Sequence, residues 1–132
     1  MEALAHALAR NFNWTIAPSG ATAANLLGIS TQVPAHWQYI SDGPYRSYDV
    51  QGIKLSFLHR NNRSITALSP KTNLVIEALK HVGESQEMKE KNRIVALLSL
   101  TLSKEEAMLV LQETMRSSLW IHDIMRKMVL LY

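Results

Sequence analysis

The stretch Trp14–Pro44, WTIAPSGATAANLLGISTQVPAHWQYISDGP, decides the fold. It joins a short apolar strand (Trp14–Ala17) to a Pro18-Ser19-Gly20 turn, a helix of small residues (Ala21–Leu27) and a second strand (His36–Ser41) closed by Asp42-Gly43-Pro44. Proline fixes φ and glycine permits positive φ, so punctuation this dense sets the chain path residue by residue. The stretch lacks the paired carboxylates, cysteines and histidine spacings that most catalytic or metal chemistry requires. It points to a recognition module before it points to a reaction.

Upstream, Glu2–Phe12 reads as a helix, with Leu4, Ala5, Leu8 and Phe12 on one buried face and Asn13 as its exit. Gly28 suits the left-handed position past the end of the small-residue helix, and Ile29–Pro34 is a connector. Downstream, Tyr45–Val50 and Ile53–Leu58 form a hairpin across Gln51-Gly52. In its second arm Ile53, Leu55 and Phe57 alternate with Lys54, Ser56 and Leu58, giving one buried and one more polar face. Asn61-Asn62 is a turn, and Ile65-Thr66-Ala67 adds a short strand.

The second half is helical. Ser69 caps a helix with Pro70 at its first position and Gly83 beyond its end. Leu74, Val75, Ala78, Leu79 and Val82 form its buried stripe. A helix over Glu87–Leu100 follows. Ser103 and Glu106 form a capping box that opens another, running to about Met115. The last covers Leu119–Leu131, with Trp120, Ile121, Ile124, Met128 and Leu131 on one stripe. Short hairpin-linked strands with helices before, between and after them define an α+β fold with a small mostly antiparallel sheet. Residues 1–132 read as a single domain, with 1–68 as the sheet portion and 69–132 as the helical portion.

With 132 residues, 47% hydrophobic and 19% charged, the chain has the composition of one globular domain. There is no cysteine, which excludes a disulfide framework and thiolate metal sites and fits a reducing, cytoplasmic setting. No apolar run approaches the roughly 18 residues that span a bilayer. Glu2, His6 and Arg10 break up the first residues, so they do not read as a secretion signal. The net charge of +3 is concentrated. Arg46, Lys54, Arg60, Arg63 and Lys71 face only Asp49 between residues 44 and 71. Such a strip suits a phosphate backbone or an acidic protein face as well as it suits a solvated sheet face.

The Pro18-Ser19-Gly20 turn before a helix is a weak anion-site signal, with backbone N–H groups at a helix start. It has neither the glycines of a dinucleotide fingerprint nor the lysine of a P-loop, and a structural turn is its simpler reading. Ser19 has no nucleophile-elbow context. A strand, a Ser-Gly turn and a helix also suggest a nucleotidyltransferase layout, but Asp42 and Asp49 are too few and too dispersed to clamp two metal ions. The histidines are scattered, so no metal site, cofactor or catalytic residue is expected. Arg60 and Arg63, beside His59, Asn61 and Asn62, suit phosphate or carboxylate partners. Tyr39, Tyr45 and Tyr48 suit base stacking or packing. Met108, Met115, Met125 and Met128 read first as fillers of core gaps and second as an adaptable interface.

The runs Pro18-Ser19-Gly20-Ala21-Thr22-Ala23, Asn25-Leu26-Leu27-Gly28 and Ser30-Thr31-Gln32-Val33-Pro34 resemble the C-terminal region of the AbiEi-type antitoxin family. So do Tyr39-Ile40-Ser41-Asp42-Gly43-Pro44, Leu68-Ser69-Pro70-Lys71-Thr72 and Val75-Ile76-Glu77-Ala78-Leu79. The likeness is dense through residue 82 and looser after it, with Trp120-Ile121 also fitting. It implies the effector domain of a bacterial type IV toxin–antitoxin or phage-defence module, without the N-terminal winged helix that represses transcription in that family. The implied functional partner is a nucleotidyltransferase-like toxin, opposed without a stable complex. The surface expected to bind a partner or nucleic acid combines Pro18, Ser19, Gly20, Thr22, Ser41, Asp42, Gly43, Arg46, Lys54, Arg60, Arg63 and Lys71. The alternatives are a nucleic-acid-binding accessory domain of a transcriptional regulator and a degenerate nucleotidyltransferase-like protein. No membrane partner is expected.

Overall fold

Gln51 and Gly52 both take positive φ, 53° and 83°. This two-residue turn matches the twist of paired strands, and it joins β3 (Arg46–Val50) to β4 (Ile53–His59) as an antiparallel hairpin. In the computed structural model, which describes residues 1–30, 32–83, 87–116 and 119–131, this hairpin forms half of a four-stranded sheet. The other half is β1 (Ile16–Pro18) and β2 (His36–Ser41). The strand order is β1-β2-β4-β3. Two antiparallel pairings flank one parallel pairing, in which β2 runs alongside β4 from His36↔Lys54 to Ser41↔His59.

Helix α1 (Glu2–Phe12) covers one sheet face, and Ala5 meets Tyr39, Leu55 and Phe57 there, with Leu4, Leu8 and Trp14 at the margin. Phe12, expected on the buried face, is 50% exposed. The chain turns away at Asn13, which takes the left-handed conformation, and Phe12 stacks on Trp14 instead, with ring centroids 4.9 Å apart. The expected two-faced pattern of β4 holds for Leu55 and Phe57, but Ser56 is buried too. β4 is an interior strand, and the Ser56 hydroxyl lies 2.8 Å from His36 Nε2 on the neighbouring strand.

The other face carries Ala17 and Ile40, closed by Ile65 of α3 (Asn62–Thr66). The expected strand at Ile65–Ala67 is thus a helix. The Asn61 side chain accepts from Ser64 N–H at 2.8 Å, and that cap starts a helical turn in spite of β-prone residues. Beyond lies the main core. The small residues Ala23, Ala24 and Leu27 of α2 (Gly20–Leu27) let it pack closely on Val75, Ala78 and Leu79 of α4 (Pro70–Val82).

Helices α5 (Met88–Thr101), α6 (Lys104–Glu113) and α7 (Leu119–Val129) complete this core. The Ser103–Glu106 capping box is formed in both directions. Met125 and Met128 are fully buried, and each such side chain contributes about 1.5–3 kcal/mol. Met108 and Met115 are exposed, as is Leu131, which lies past the end of α7. Thr31 of the connector lies outside the described residues.

Candidate functional site: a cationic cleft at the carboxyl ends of the parallel strands

β2 and β4 end side by side. The chain leaves β4 at His59, and Arg60 N–H donates to the Ser41 carbonyl at 2.8 Å. This bond extends the ladder by one step and fixes where the Arg60 side chain departs. A cleft of about 310 Å³ opens there, between the strand ends, α3 and α4. Arg60, Ser64, Asn73, Glu77 and Lys80 form its polar walls, and Ile40, Ile76 and Ile121 are among its apolar lining. Sheets with parallel strands characteristically bind ligands beyond their carboxyl ends.

Arg60 and Lys80 are exposed and have no ion-pair partner among the described residues. Lys80 stands in the last turn of α4, where the helix dipole favours a cation. Asn73 donates to the Ile65 carbonyl at 2.7 Å and so ties α4 to α3. Glu77 is the one carboxylate among the lining residues, which leaves the cleft net positive. Arg63 is exposed on α3 nearby. Across the same end of the sheet, Tyr45 is 54% exposed next to Arg46. The arrangement offers a planar guanidinium and an ammonium to an anion, with hydroxyl and amide groups alongside.

The Ser41–Gly43 turn is the scaffold behind this end. Asp42 Oδ1 accepts from Thr15 N–H at 2.8 Å, and Oδ2 accepts from Asn62 Nδ2 at 3.0 Å. Burial alone would push the Asp42 carboxyl up, but the hydrogen bonds from Asn62 and Thr15 outweigh it and hold the group below its ordinary range. The Ser41 hydroxyl accepts from Gly43 N–H at 3.0 Å, and His59 Nδ1 lies 2.8 Å from the Gly43 carbonyl. The turn therefore braces β1, β4 and α3 together.

The Pro18–Thr22 turn is stitched to β2 instead. Ser19 N–H donates to the Gln38 carbonyl at 3.0 Å, and Gln38 N–H donates to the Thr22 hydroxyl at 2.8 Å. Gly20 has φ +57°, and a Cβ there would lie 2.7 Å from Gln38 Oε1. The buried Ser19 hydroxyl has no partner among the described residues. Pro18 and Lys71 share a separate cleft of about 390 Å³ with Glu2 and His6, and Lys71 pairs with Glu106 at 3.4 Å. Lys54 stands opposite Asp49 at the far end of β4, about 20 Å from Arg60 at strand rise.

The basic strip is therefore divided. Ser41, Asp42, Gly43, Arg46, Arg60 and Arg63 gather at one end of the sheet. The Pro18–Thr22 turn with Lys71, and Lys54 by itself, lie elsewhere. Asn73, Glu77 and Lys80 escaped the sequence reading, although their i, i+4, i+7 spacing places them on one side of α4.

Asp42 and Asp49 stand near opposite ends of the sheet. Asp49 opposes Lys54, whose other neighbour is His36 at the start of β2, whereas Asp42 follows its last residue. Six residue steps, about 20 Å, separate those levels, so the two carboxylates cannot share an ion. Among the described residues no three His, Asp or Glu side chains gather where they could hold a metal, and no helix is long and apolar enough to cross a membrane. No curated protein and no solved structure matches the chain. Residues 1–107 match a family of unknown function, DUF6088, and the chain belongs to that family.

Proposed function

We propose that this chain is an antitoxin-like recognition domain of a bacterial type IV toxin–antitoxin or phage-defence module. It acts in the cytoplasm and counteracts a nucleotidyltransferase-like toxin by binding, without turnover. The observation that carries this reading is the cleft beyond β2 and β4, where Arg60 and Lys80 stand without ion-pair partners among the described residues. Two cations over hydroxyl and amide groups suit a phosphate-bearing or acidic target. The ordered likeness of Pro18 through Leu79 to AbiEi-type antitoxins is its second support.

Growth of cells expressing a nucleotidyltransferase-like toxin from the same gene neighbourhood tests the reading. Co-expression of this chain restores growth under the proposal, and persistent arrest with the chain present in soluble form contradicts it. A nucleic-acid-binding accessory role is a second reading, favoured by exposed Tyr45 beside Arg46, since a ring next to a cation suits base stacking. It predicts an affinity for RNA or DNA that falls steeply with salt.

A further inference from the structure

The cationic cleft beyond β2 and β4 holds a carboxylate as well as its bases. Glu77 is half-buried on α4, between Asn73 and Lys80, and all three line the cleft. Among the described residues no ion pair joins it to Arg60 or Lys80. This carboxylate narrows what can bind. Arg60 and Lys80 alone would accept any phosphate or acidic chain. A carboxylate one helical turn from Lys80 repels an anion that fills the whole cleft, and it calls for hydrogen-bond donors instead.

The polar groups stand in a fixed order along α4. At 1.5 Å per residue, Asn73 and Lys80 are about 10 Å apart along the axis, with Glu77 about 4.5 Å short of Lys80. Asn73 Nδ2 is committed to the Ile65 carbonyl at 2.7 Å, which leaves the amide oxygen as an acceptor. Leu68 and Ile76 supply apolar wall. The order is therefore cation, carboxylate acceptor, amide acceptor beside apolar surface. A nucleoside phosphate carries the matching groups in the same order: an anionic phosphate, a sugar with hydroxyl donors, and a flat base with N–H donors. A carboxylate on the ribose hydroxyls is also how dinucleotide-binding sheets hold the sugar. The cleft volume of about 310 Å³ sits at the small end of ligand pockets, about 300–1,000 Å³, and suits one nucleotide better than a run of them.

We infer that this cleft binds a single nucleoside phosphate. Its phosphate lies at Arg60 and Lys80, its sugar hydroxyls at Glu77, and its base toward Asn73, Leu68 and Ile76. The inference rests on the reading that the chain meets a phosphate-bearing target here, and it names the chemistry of that target.

Calorimetric titration of the full chain at low salt tests it. The probes are the common ribonucleoside monophosphates, their free nucleosides and inorganic phosphate. At least one monophosphate is expected to bind about tenfold or more tightly than its nucleoside and than inorganic phosphate. Arg60→Ala weakens that nucleotide by about tenfold. Glu77→Gln also weakens it, yet tightens inorganic phosphate, because a repelling charge is gone. A merely structural Glu77 would move both probes the same way. Melting curves report whether each variant is folded, and the wild-type titration stands whatever a variant does to the fold. No preference of the wild-type chain for any monophosphate over inorganic phosphate overturns the inference, as does a folded Glu77→Gln that moves both probes alike. The growth assay separates the two readings. Protection of toxin-expressing cells by a chain that binds no nucleotide overturns this inference alone. Nucleotide binding by a chain that fails to protect overturns the antitoxin reading alone.

Discussion

Tyr39 is fully buried and its hydroxyl finds no hydrogen-bond partner among the described residues. Burial, with a smaller contribution from Glu2, pushes the phenol up to about 12. Between about pH 10 and 12 the unfolded chain ionises this group while the folded chain does not, so stability falls as pH rises through that window. Tyr39→Phe is expected to remove that share of the alkaline loss and to stabilise the fold at neutral pH by up to about 1 kcal/mol, since an orphan hydroxyl is costly. Melting temperature against pH for both proteins measures this. Gly43 is the opposite case. A side chain there overlaps the Trp14 ring, and that ring is held between Phe12 and Phe57. Gly43→Ala is expected to cost about 1–3 kcal/mol, the range for overpacking, in urea denaturation.

Among the elements, local chemistry was the legible part. The Ser103–Glu106 capping box, the left-handed exits at Asn13 and Gly28, and the Gln51-Gly52 hairpin need only neighbours in sequence, and all of them form. What depended on distant partners was hidden. Ser69 reads as a helix cap, yet its hydroxyl makes no cap bond. It donates to Glu113 Oε2 at 2.6 Å while its N–H donates to Oε1 at 2.7 Å. Nothing near Ser69 announces a carboxylate from α6. The Ser69 hydroxyl and N–H together hold the Glu113 carboxyl below its usual range. Its contribution is therefore present above the ordinary glutamate pKa and is lost as pH falls below it. Glu113→Ala is expected to cost about 1–2 kcal/mol at neutral pH and to reduce the acid sensitivity of folding, as followed by circular dichroism across an acid titration.

For the whole molecule, the α+β class and the helical second half follow from hydrophobic periodicity, whereas the parallel placement of β2 against β4 does not. A hairpin signal says which strands are consecutive and is silent on which strand the pair joins. That pairing carries Arg60 to the cleft and leaves Lys54 at the opposite end of the sheet. It also explains why a basic strip that is continuous in sequence is divided in space, and why Lys80 of α4 joins Arg60 in one cleft although the two are well separated in sequence. Under the proposed function, the cationic cleft meets the target and binding there suffices. The direct measurement is protection of toxin-expressing cells by the Arg60→Ala, Lys80→Ala double variant, read beside its melting curve. Both side chains are exposed, so stability is expected to shift by only about 0.5 kcal/mol while protection is lost. Full protection by a folded double variant would contradict the account.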